Sequence, residues 1–169
     1  MIHVCSLARL HDTVASTGAR HVVSLLGLED NLRRPATVLP ENHLWLQLHD
    51  ISTPLEGFIM PQAEHVEALI AFVRGWRREA PLVMHCYAGV SRSTAAAYVA
   101  ACALRPEREE HAIAAALRRA SPTATPNALI VALADDLLGR GGRMTAAIAA
   151  IGQGAFVTEA VPFRLDLVG

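Results

Sequence analysis

The chain has 169 residues, 52% of them hydrophobic and 18% charged, which is enough apolar content for one substantial core and excludes general disorder. Fifteen basic and sixteen acidic residues give a formal net charge of -1, so the basic excess typical of nucleic-acid-binding domains is missing. The longest apolar run, residues 95–104, is too short to span a bilayer, and three cysteines are too few for a disulfide scaffold. We therefore expect a single cytoplasmic domain over residues 1–169 that binds neither nucleic acid nor membrane.

Short apolar runs alternate with amphipathic segments in the first half of the chain. Strands are predicted over residues 2–7, 21–26 and 43–48. A helix is predicted over 9–17, where Gly18 ends it, and 27–42 is predicted to be a long loop with two prolines. Pro61 is expected in the first turn of a second helix, whose apolar face consists of Val66, Leu69, Ile70 and Val73.

The second half of the chain is richer in helices. A buried strand is predicted over 81–85 and a helix over 92–104. A further helix is expected to open at Pro106, with Glu107, Glu109 and Glu110 in its first turn. The last elements predicted are a helix that carries Leu129, Ile130, Leu133 and Leu137, a short apolar helix that ends at Ile151, and a strand within 155–168.

Strands interleaved with helices predict an α/β fold, with a mainly parallel central sheet of about four to five strands flanked by helices. In such sheets ligands bind beyond the carboxyl ends of the strands, so the loops at that edge are the place to look for a site.

The sequence HCYAGVSRS, residues 85–93, joins the strand over 81–85 to the helix over 92–104. A glycine-containing loop in this position turns its N–H groups inward beside the positive end of the helix. It predicts an anion-binding cradle made by Tyr87, Ala88, Gly89, Val90 and Ser91.

Cys86 and Arg92 lie at the two ends of this loop. The field that binds a phosphate dianion also favours a thiolate, which makes Cys86 the candidate nucleophile, and Arg92 offers a planar fork of donors to two phosphoryl oxygens. The alternative interpretation of Cys86 is a buried core thiol. The His, Gly and Ser residues at matching positions favour the nucleophile.

Asp50 is the candidate proton donor for the leaving oxygen, because it follows the strand over 43–48 at the same edge of the sheet. A turn-forming aspartate is the alternative interpretation. Glu56, later in the same loop, is the reserve candidate, and Asp30 lies in a longer loop and is less suitable.

These residues resemble the cysteine-dependent protein tyrosine phosphatase superfamily, whose loop reads His-Cys-x5-Arg-Ser/Thr, and within it the compact dual-specificity-like branch in its bacterial form. The matching stretches are HLWLQLHD, PLVMHCYAGVSRSTAAAYVA and ATPNALIVAL. The resemblance covers residues 43–138 and leaves 139–169 as a C-terminal extension without an assigned counterpart.

The resemblance implies a phosphatase-type fold and a two-step transfer through a phosphocysteine, with no metal and no cofactor. By the same resemblance, Cys86 attacks phosphorus, Arg92 binds the phosphoryl group and Asp50 acts first as acid and then as base.

The resemblance also assigns three supporting roles. Ser93 would hydrogen-bond the thiolate as it leaves, His85 would hold Cys86 in place, and Asn127 would support the loop from outside.

We interpret the chain as a phosphomonoesterase for phosphotyrosine in a protein or peptide, with phosphoserine and phosphothreonine left open. The loop interior has no cation and the chain has no Lys, which disfavours polyphosphorylated inositol headgroups. Tyr87 and Val90 offer an apolar rim to an aryl phosphate. The alternatives are a phosphate-binding pseudophosphatase and a phosphatase for a non-protein phosphomonoester such as a phosphoinositide.

The remaining polar residues have simpler interpretations. Cys5 and Cys102 are interpreted as core thiols, although a protective disulfide between Cys5 and Cys86 is left open. His49 is expected to be a loop histidine, with tuning of Asp50 as the alternative. The loop residues Arg33 and Arg34 are either solvated or contact an acidic phosphopeptide.

Overall fold

The structure is a computed structural model that describes residues 1–167; the last residue of the predicted tail strand and the end of the extension lie outside this range. The strands are β1 (Ile2–Ser6), β2 (His21–Leu26), β3 (His43–Gln47), β4 (Leu82–Cys86) and β5 (Phe163–Leu165). The helices are α1 (Leu10–Thr17), α2 (Ala63–Gly75), α3 (Arg92–Leu104), α4 (Glu110–Ala120), α5 (Ala128–Leu137) and α6 (Arg143–Ile151).

The five strands form one sheet in the order β3-β2-β4-β1-β5. The first four strands in this order are parallel, and β5 runs antiparallel to β1. The predicted α/β fold with a mainly parallel sheet is therefore confirmed. Strand β4 has β2 on one side and β1 on the other, so the segment after β4 emerges at the centre of the carboxyl edge.

The sheet is covered on both faces. Helix α1 packs Leu10 and Val14 against Cys5, Val22 and Val83 on one face. The main core lies on the other face, where α3 is buried along nearly its whole length. Because most of its core-facing side chains are alanines, α3 approaches the sheet closely while α2, α4 and α5 pack around it.

Helix α1 begins one residue later than predicted, at Leu10, and the starts of two other helices differ more. Pro61 lies before α2 and outside its first turn, because Gln62 and His65 form a reciprocal capping box that starts the helix at Ala63. The predicted apolar face of this helix is nevertheless correct, and all four of its residues are buried.

Helix α4 begins four residues later than predicted. Residues 106–108 form a turn in which Arg108 N–H donates to the Arg105 carbonyl over 3.0 Å, and only Glu110 of the three acidic residues lies in the first helical turn. Glu110 is buried and pairs with Arg140 and Arg143, which secures α6 to α4. The later start follows from the backbone of Glu109, which is extended (φ −64°, ψ 131°) and so forms the N-cap of a helix that begins at Glu110.

The extension beyond residue 138 contains α6 and β5. The predicted tail strand is confirmed only over the three residues of β5, which cover the outer edge of β1.

Candidate active site

The segment from Cys86 to Arg92, called the cysteine loop below, turns most of its carbonyls outward. Four loop carbonyls accept N–H hydrogen bonds from outside the loop at 2.9–3.3 Å: Tyr87 from Leu7, Ala88 from Ala160, Val90 from Thr125 and Ser91 from Asn127. Because N–H and C=O point in opposite directions within one peptide, the N–H groups of the next residues in each case point into the loop. Among residues 1–167, none of these N–H groups donates to a protein acceptor.

Gly89 is the point where the loop passes closest to the sheet. Its φ is +76°, and a Cβ there would lie 2.8 Å from the carbonyl carbon of Cys5. Both the left-handed backbone and the contact with β1 require glycine. In the same loop, Tyr87 is 63% exposed, while Val90 is only partly exposed. The predicted apolar rim therefore comes mainly from Tyr87.

Cys86 lies at the end of β4 with its side chain 2% exposed. Its Sγ is 3.2 Å from the hydroxyl Oγ of Ser93, in the first turn of α3. The sulfur therefore lies at the amino-terminal end of α3.

Arg92 is the first residue of α3 and is 8% exposed. One terminal guanidinium nitrogen donates to the Leu48 carbonyl over 3.0 Å, which anchors the side chain to the segment after β3. Its Nε is buried and has no hydrogen-bond partner among the described residues. A buried donor without a partner is costly, so an anion within the loop would relieve it.

His85 is fully buried beneath the loop. Its Nε2 lies 2.6 Å from Ser24 Oγ on β2, and the same Oγ lies 2.8 Å from His43 Nε2 on β3. Burial, with a smaller contribution from His43, lowers the pKa of His85 to about 3, so its ring is neutral at neutral pH.

Acid is expected to destabilise the protein through His85. The unfolded chain binds a proton near the usual pKa of 6.5 and the folded chain near 3, so stability is complete above 6.5 and is lost as the pH falls toward 3. The loss at about pH 4 is about 3 kcal/mol. Urea unfolding of wild type and His85→Gln at neutral and acid pH measures it. An equal loss in both proteins contradicts the prediction, because the other buried histidines are common to both.

Asp50 contacts the cysteine loop from outside, at Ser91. Its Oδ1 accepts hydrogen bonds from Ser91 Oγ at 2.7 Å and from Asn127 Nδ2 at 2.9 Å. Asn127 is also the N-cap of α5, and its Oδ1 accepts from Leu129 N–H and Ile130 N–H at 3.1 Å each. The side chain of Asn127 thus joins α5 to the Asp50 segment, and its backbone N–H donates to the Ser91 carbonyl of the loop.

A cleft of about 610 Å³ opens beside Asp50. Ser91 and Asn127 line it on one side, and Ile148 of α6 lines it on the other. The structure therefore brings Asp50 to Ser91 and Asn127 at the rim of the loop.

The other two acid candidates make no hydrogen bond to the cysteine loop among residues 1–167. Asp30 accepts the Gly27 N–H over 3.0 Å and so closes the turn after β2. Glu56 lies exposed in the segment between β3 and α2.

Sequence reasoning missed Glu29, whose carboxylate is 3.0 Å from His49 Nε2. His49 Nδ1 accepts the Ile59 N–H over 2.8 Å, so its proton lies on Nε2 and faces Glu29. The pKa of Glu29 is below its usual value, first through its own backbone N–H and also through the nearby His49 and Arg92. His49 therefore links the two loops that follow β2 and β3, and its contact is with Glu29. Only the adjacency of these strands, which one sequence does not reveal, would have identified the pair.

The disulfide left open by the sequence does not fit the sheet. Ser6, not Cys5, pairs in register with Cys86, so the side chains of Cys5 and Cys86 point to opposite faces. Cys5 and Cys102 are buried free thiols, and burial raises the pKa of each to about 12. Both are therefore core thiols.

The remaining observations concern the surface arginines, metal binding and membrane-spanning helices. The guanidinium of Arg34 donates to the Val38 carbonyl within its own loop, whereas Arg33 is exposed. Over residues 1–167 no group of three His, Cys, Asp or Glu side chains is arranged to hold a metal ion. Within the same range no helix has the length and apolarity needed to cross a membrane.

No protein-family model and no curated protein matches this sequence. The structure does resemble solved ones. The structure of DUSP15 has a TM-score of 0.63 at 16% identity and 89% coverage of both chains. Human DUSP28 has a TM-score of 0.58 at 18% identity, over 88% of this chain and 94% of the other. The human tyrosine phosphatase-like serine/threonine/tyrosine-interacting protein has a TM-score of 0.63 at 17% identity, over 82% and 91%.

The chain therefore has the fold of the compact dual-specificity phosphatases. The phosphatase-type fold that the sequence resemblance implied is confirmed.

Proposed function

We propose that the protein is a cysteine-dependent phosphomonoesterase that hydrolyses phosphotyrosine in proteins or peptides. One observation carries this proposal: the cysteine loop turns most of its carbonyls outward, begins at the buried Cys86 thiol and ends at Arg92, whose buried Nε has no partner among the described residues. The inward N–H groups suit a tetrahedral dianion, and a thiol in the same place is positioned to react with it.

In the first step, the Cys86 thiolate attacks phosphorus. An S–P bond forms while the bond from phosphorus to the ester oxygen breaks, and Asp50 gives its proton to that oxygen. Arg92 and the loop N–H groups hold the equatorial oxygens, where charge is spread in the transition state.

In the second step, water attacks the phosphocysteine and Asp50 takes its proton. The S–P bond breaks, inorganic phosphate leaves and Cys86 returns as a thiolate. The Ser93 hydroxyl, 3.2 Å from the sulfur, is placed to donate a hydrogen bond to this leaving group.

The surroundings of the loop support a monophosphorylated aromatic substrate. The exposed Tyr87 ring is part of the loop, and the carboxylates of Glu29 and Asp50 lie on neighbouring segments. A polyphosphorylated headgroup would be repelled by these carboxylates. Within the loop itself, Arg92 is the cation available to offset this repulsion. We therefore propose phosphotyrosine as the better substrate, followed by phosphoserine and phosphothreonine.

Hydrolysis of para-nitrophenyl phosphate, with and without vanadate, tests the activity. A panel of phosphotyrosine, phosphoserine and phosphothreonine peptides and soluble phosphoinositides, read by phosphate release, tests the substrate. Vanadate-sensitive turnover with preference for phosphotyrosine is the expected result. Faster release from phosphoinositides would overturn the substrate assignment alone.

Binding without turnover is the second candidate, because Asp50 is engaged by Ser91 and Asn127 and one neighbour in fold is described as a phosphatase-like interacting protein. Tight vanadate or phosphate binding with no hydrolysis of any ester in the panel would favour it.

The role of Asp50 predicts a dependence on the leaving group. Asp50→Asn is expected to slow phenyl phosphate by about 10²–10⁴-fold and to slow an ester with an acidic leaving group much less, since that group departs without a proton. Steady-state rates on a series of substituted phenyl phosphates measure the difference.

Glu56→Gln is the matched control and should leave the series unchanged. A uniform loss across all esters in Asp50→Asn would instead assign Asp50 to holding Ser91 and Asn127, and it would return the acid role to Glu56.

A further inference from the structure

The cleft beside Asp50 is continuous with the cysteine loop, because Asp50 and the loop residue Ser91 both line it and are hydrogen-bonded to each other. Its volume of about 610 Å³ lies within the range of about 300–1,000 Å³ that is usual for ligand pockets. The two chemical steps proposed above use the loop and Asp50 and give the rest of this cleft no role.

Three elements contribute apolar side chains to the cleft. Ile51 comes from the segment after β3, Pro126 from the residues before α5, and Ile148 from α6. Ile51 and Ile148 are half-buried, so each leaves part of its apolar surface accessible from the cleft. Beyond Ile148, the α6 wall continues with the exposed Ala149. An apolar side chain entering here would remove these surfaces from water.

The cleft is poor in charge. Among the described residues that line it, Asp50 is the one with an ionisable side chain, and the other polar side chains are hydroxyls and amides. An acidic or phosphorylated occupant would therefore meet a carboxylate and no cation. A cationic occupant would hold Asp50 in its charged form, in which it cannot give a proton to the leaving oxygen. The lining thus favours an uncharged apolar occupant.

Hydrogen bonds hold both walls of the cleft in place. On one side, Asn127 Nδ2 donates to Asp50 Oδ1 over 2.9 Å and to the Ile51 carbonyl over 3.4 Å. On the other side, the segment after α6 is tied down by the Gly154 N–H, which donates to Thr125 Oγ1 over 3.0 Å. A cleft formed in advance loses little conformational freedom when it is filled.

The cleft lies within reach of residues that flank a phosphotyrosine in the loop. It begins at Ser91, the residue before Arg92, and an extended peptide advances about 3.3–3.6 Å per residue. A side chain one or two positions from the phosphotyrosine can therefore enter it.

We propose that this cleft is a specificity subsite, which binds an apolar side chain of the substrate one or two residues from the phosphotyrosine and disfavours a charged one. This inference rests on the function proposed above. One wall of the subsite is α6, which lies in the extension beyond residue 138, so the preference is a property of this chain and not of the family resemblance.

A set of phosphotyrosine peptides tests the proposal. Each peptide has Leu, Glu or Lys at one of the two positions on either side of the phosphotyrosine, in an otherwise constant alanine and glycine sequence. Phosphate release gives kcat/KM, and fluorescence anisotropy of labelled peptides on Cys86→Ser gives Kd without turnover. At one of these positions, Leu is expected to exceed Glu and Lys by about 5–30-fold in both measurements, as burial of an apolar side chain would produce.

A charge placed on the α6 wall should change this order. Ala149→Arg puts a cation into the cleft and is expected to lower the Leu-to-Glu ratio at that position by about tenfold or more. Ala150→Arg is the matched control, because Ala150 is the next exposed residue of α6, makes the same change in net charge and is not among the lining residues. It should keep the wild-type ratio. Both alanines are exposed, so neither variant disturbs the core.

A second pair of variants tests the apolar wall. Ile148→Ala is expected to reduce the advantage of Leu about threefold to tenfold, since less apolar surface is left to bury. Ile151→Ala, at a half-buried isoleucine of the same helix that does not line the cleft, should preserve the advantage.

The outcomes separate the subsite from the proposed function. Equal values for Leu and Glu in wild type, or the same change in both arginine variants, overturn the subsite. Absence of hydrolysis with the Leu preference retained in Kd overturns the proposed function and supports the subsite. Hydrolysis without any preference overturns the subsite alone, and absence of both hydrolysis and peptide binding overturns both.

Discussion

Cys86→Ser is expected to abolish hydrolysis, with a loss of about 10⁴-fold or more, because a hydroxyl is a much weaker nucleophile than a thiolate. The loop N–H groups and Arg92 are unchanged, so phosphate and vanadate should still bind. Initial rates on para-nitrophenyl phosphate and titration calorimetry with vanadate measure the two properties.

Cys102→Ala is the matched control, since Cys102 is a buried thiol on α3 that does not border the loop. It should keep its turnover. The Cys86→Ser rate is compared with wild type once the Cys102→Ala rate is known. If Cys86→Ser keeps more than a few per cent of wild-type activity, the phosphocysteine route is ruled out.

Arg92→Ala is expected to lower turnover by about 10³–10⁵-fold, since a guanidinium that stabilises a transferred phosphoryl group has an effect of this size. Arg92→Lys should recover little of it, because an ammonium cannot both bind the Leu48 carbonyl and offer a planar pair of donors to phosphate. The ratio of kcat/KM for the variants to that of wild type is the measurement.

Arg119→Ala removes an exposed arginine from the last turn of α4 and controls for the change in net charge. A loss in Arg92→Ala that is no greater than tenfold would show that the buried Nε does not act on the phosphoryl group. In that case, the contact with Leu48 would be the main role of Arg92.

The elements next to the loop were predictable because their signals are local. Helix α3 has the bounds that were predicted, since Ser91 and Arg92 mark its start and an unbroken apolar segment follows. The strand β4 and the glycine at position 89 follow from the same short stretch. The predicted layout of the sheet also holds, because β–α alternation allows few other arrangements.

Contacts between distant segments were not predictable from one sequence. The Glu29–His49 pair and the position of Ser24 against His85 both depend on strand order and register. The same holds for Asp50, whose position just after β3 gave its edge of the sheet and not its partners. The start of helix α4 was misplaced because the sequence did not reveal the turn over residues 105–108 or the extended backbone of Glu109.

The cysteine loop is supported by the part of the chain that has no counterpart in the family resemblance. Ala160 donates to the Ala88 carbonyl over 2.9 Å, Glu159 accepts a hydrogen bond from Ser6, and β5 covers β1. Expression fragments trimmed at residue 138 would therefore lose one wall of the loop and leave a hydrophobic strand edge open to aggregation. In engineering this protein, tags and truncations belong elsewhere, and the extension should be treated as part of the folded unit that holds the cysteine loop.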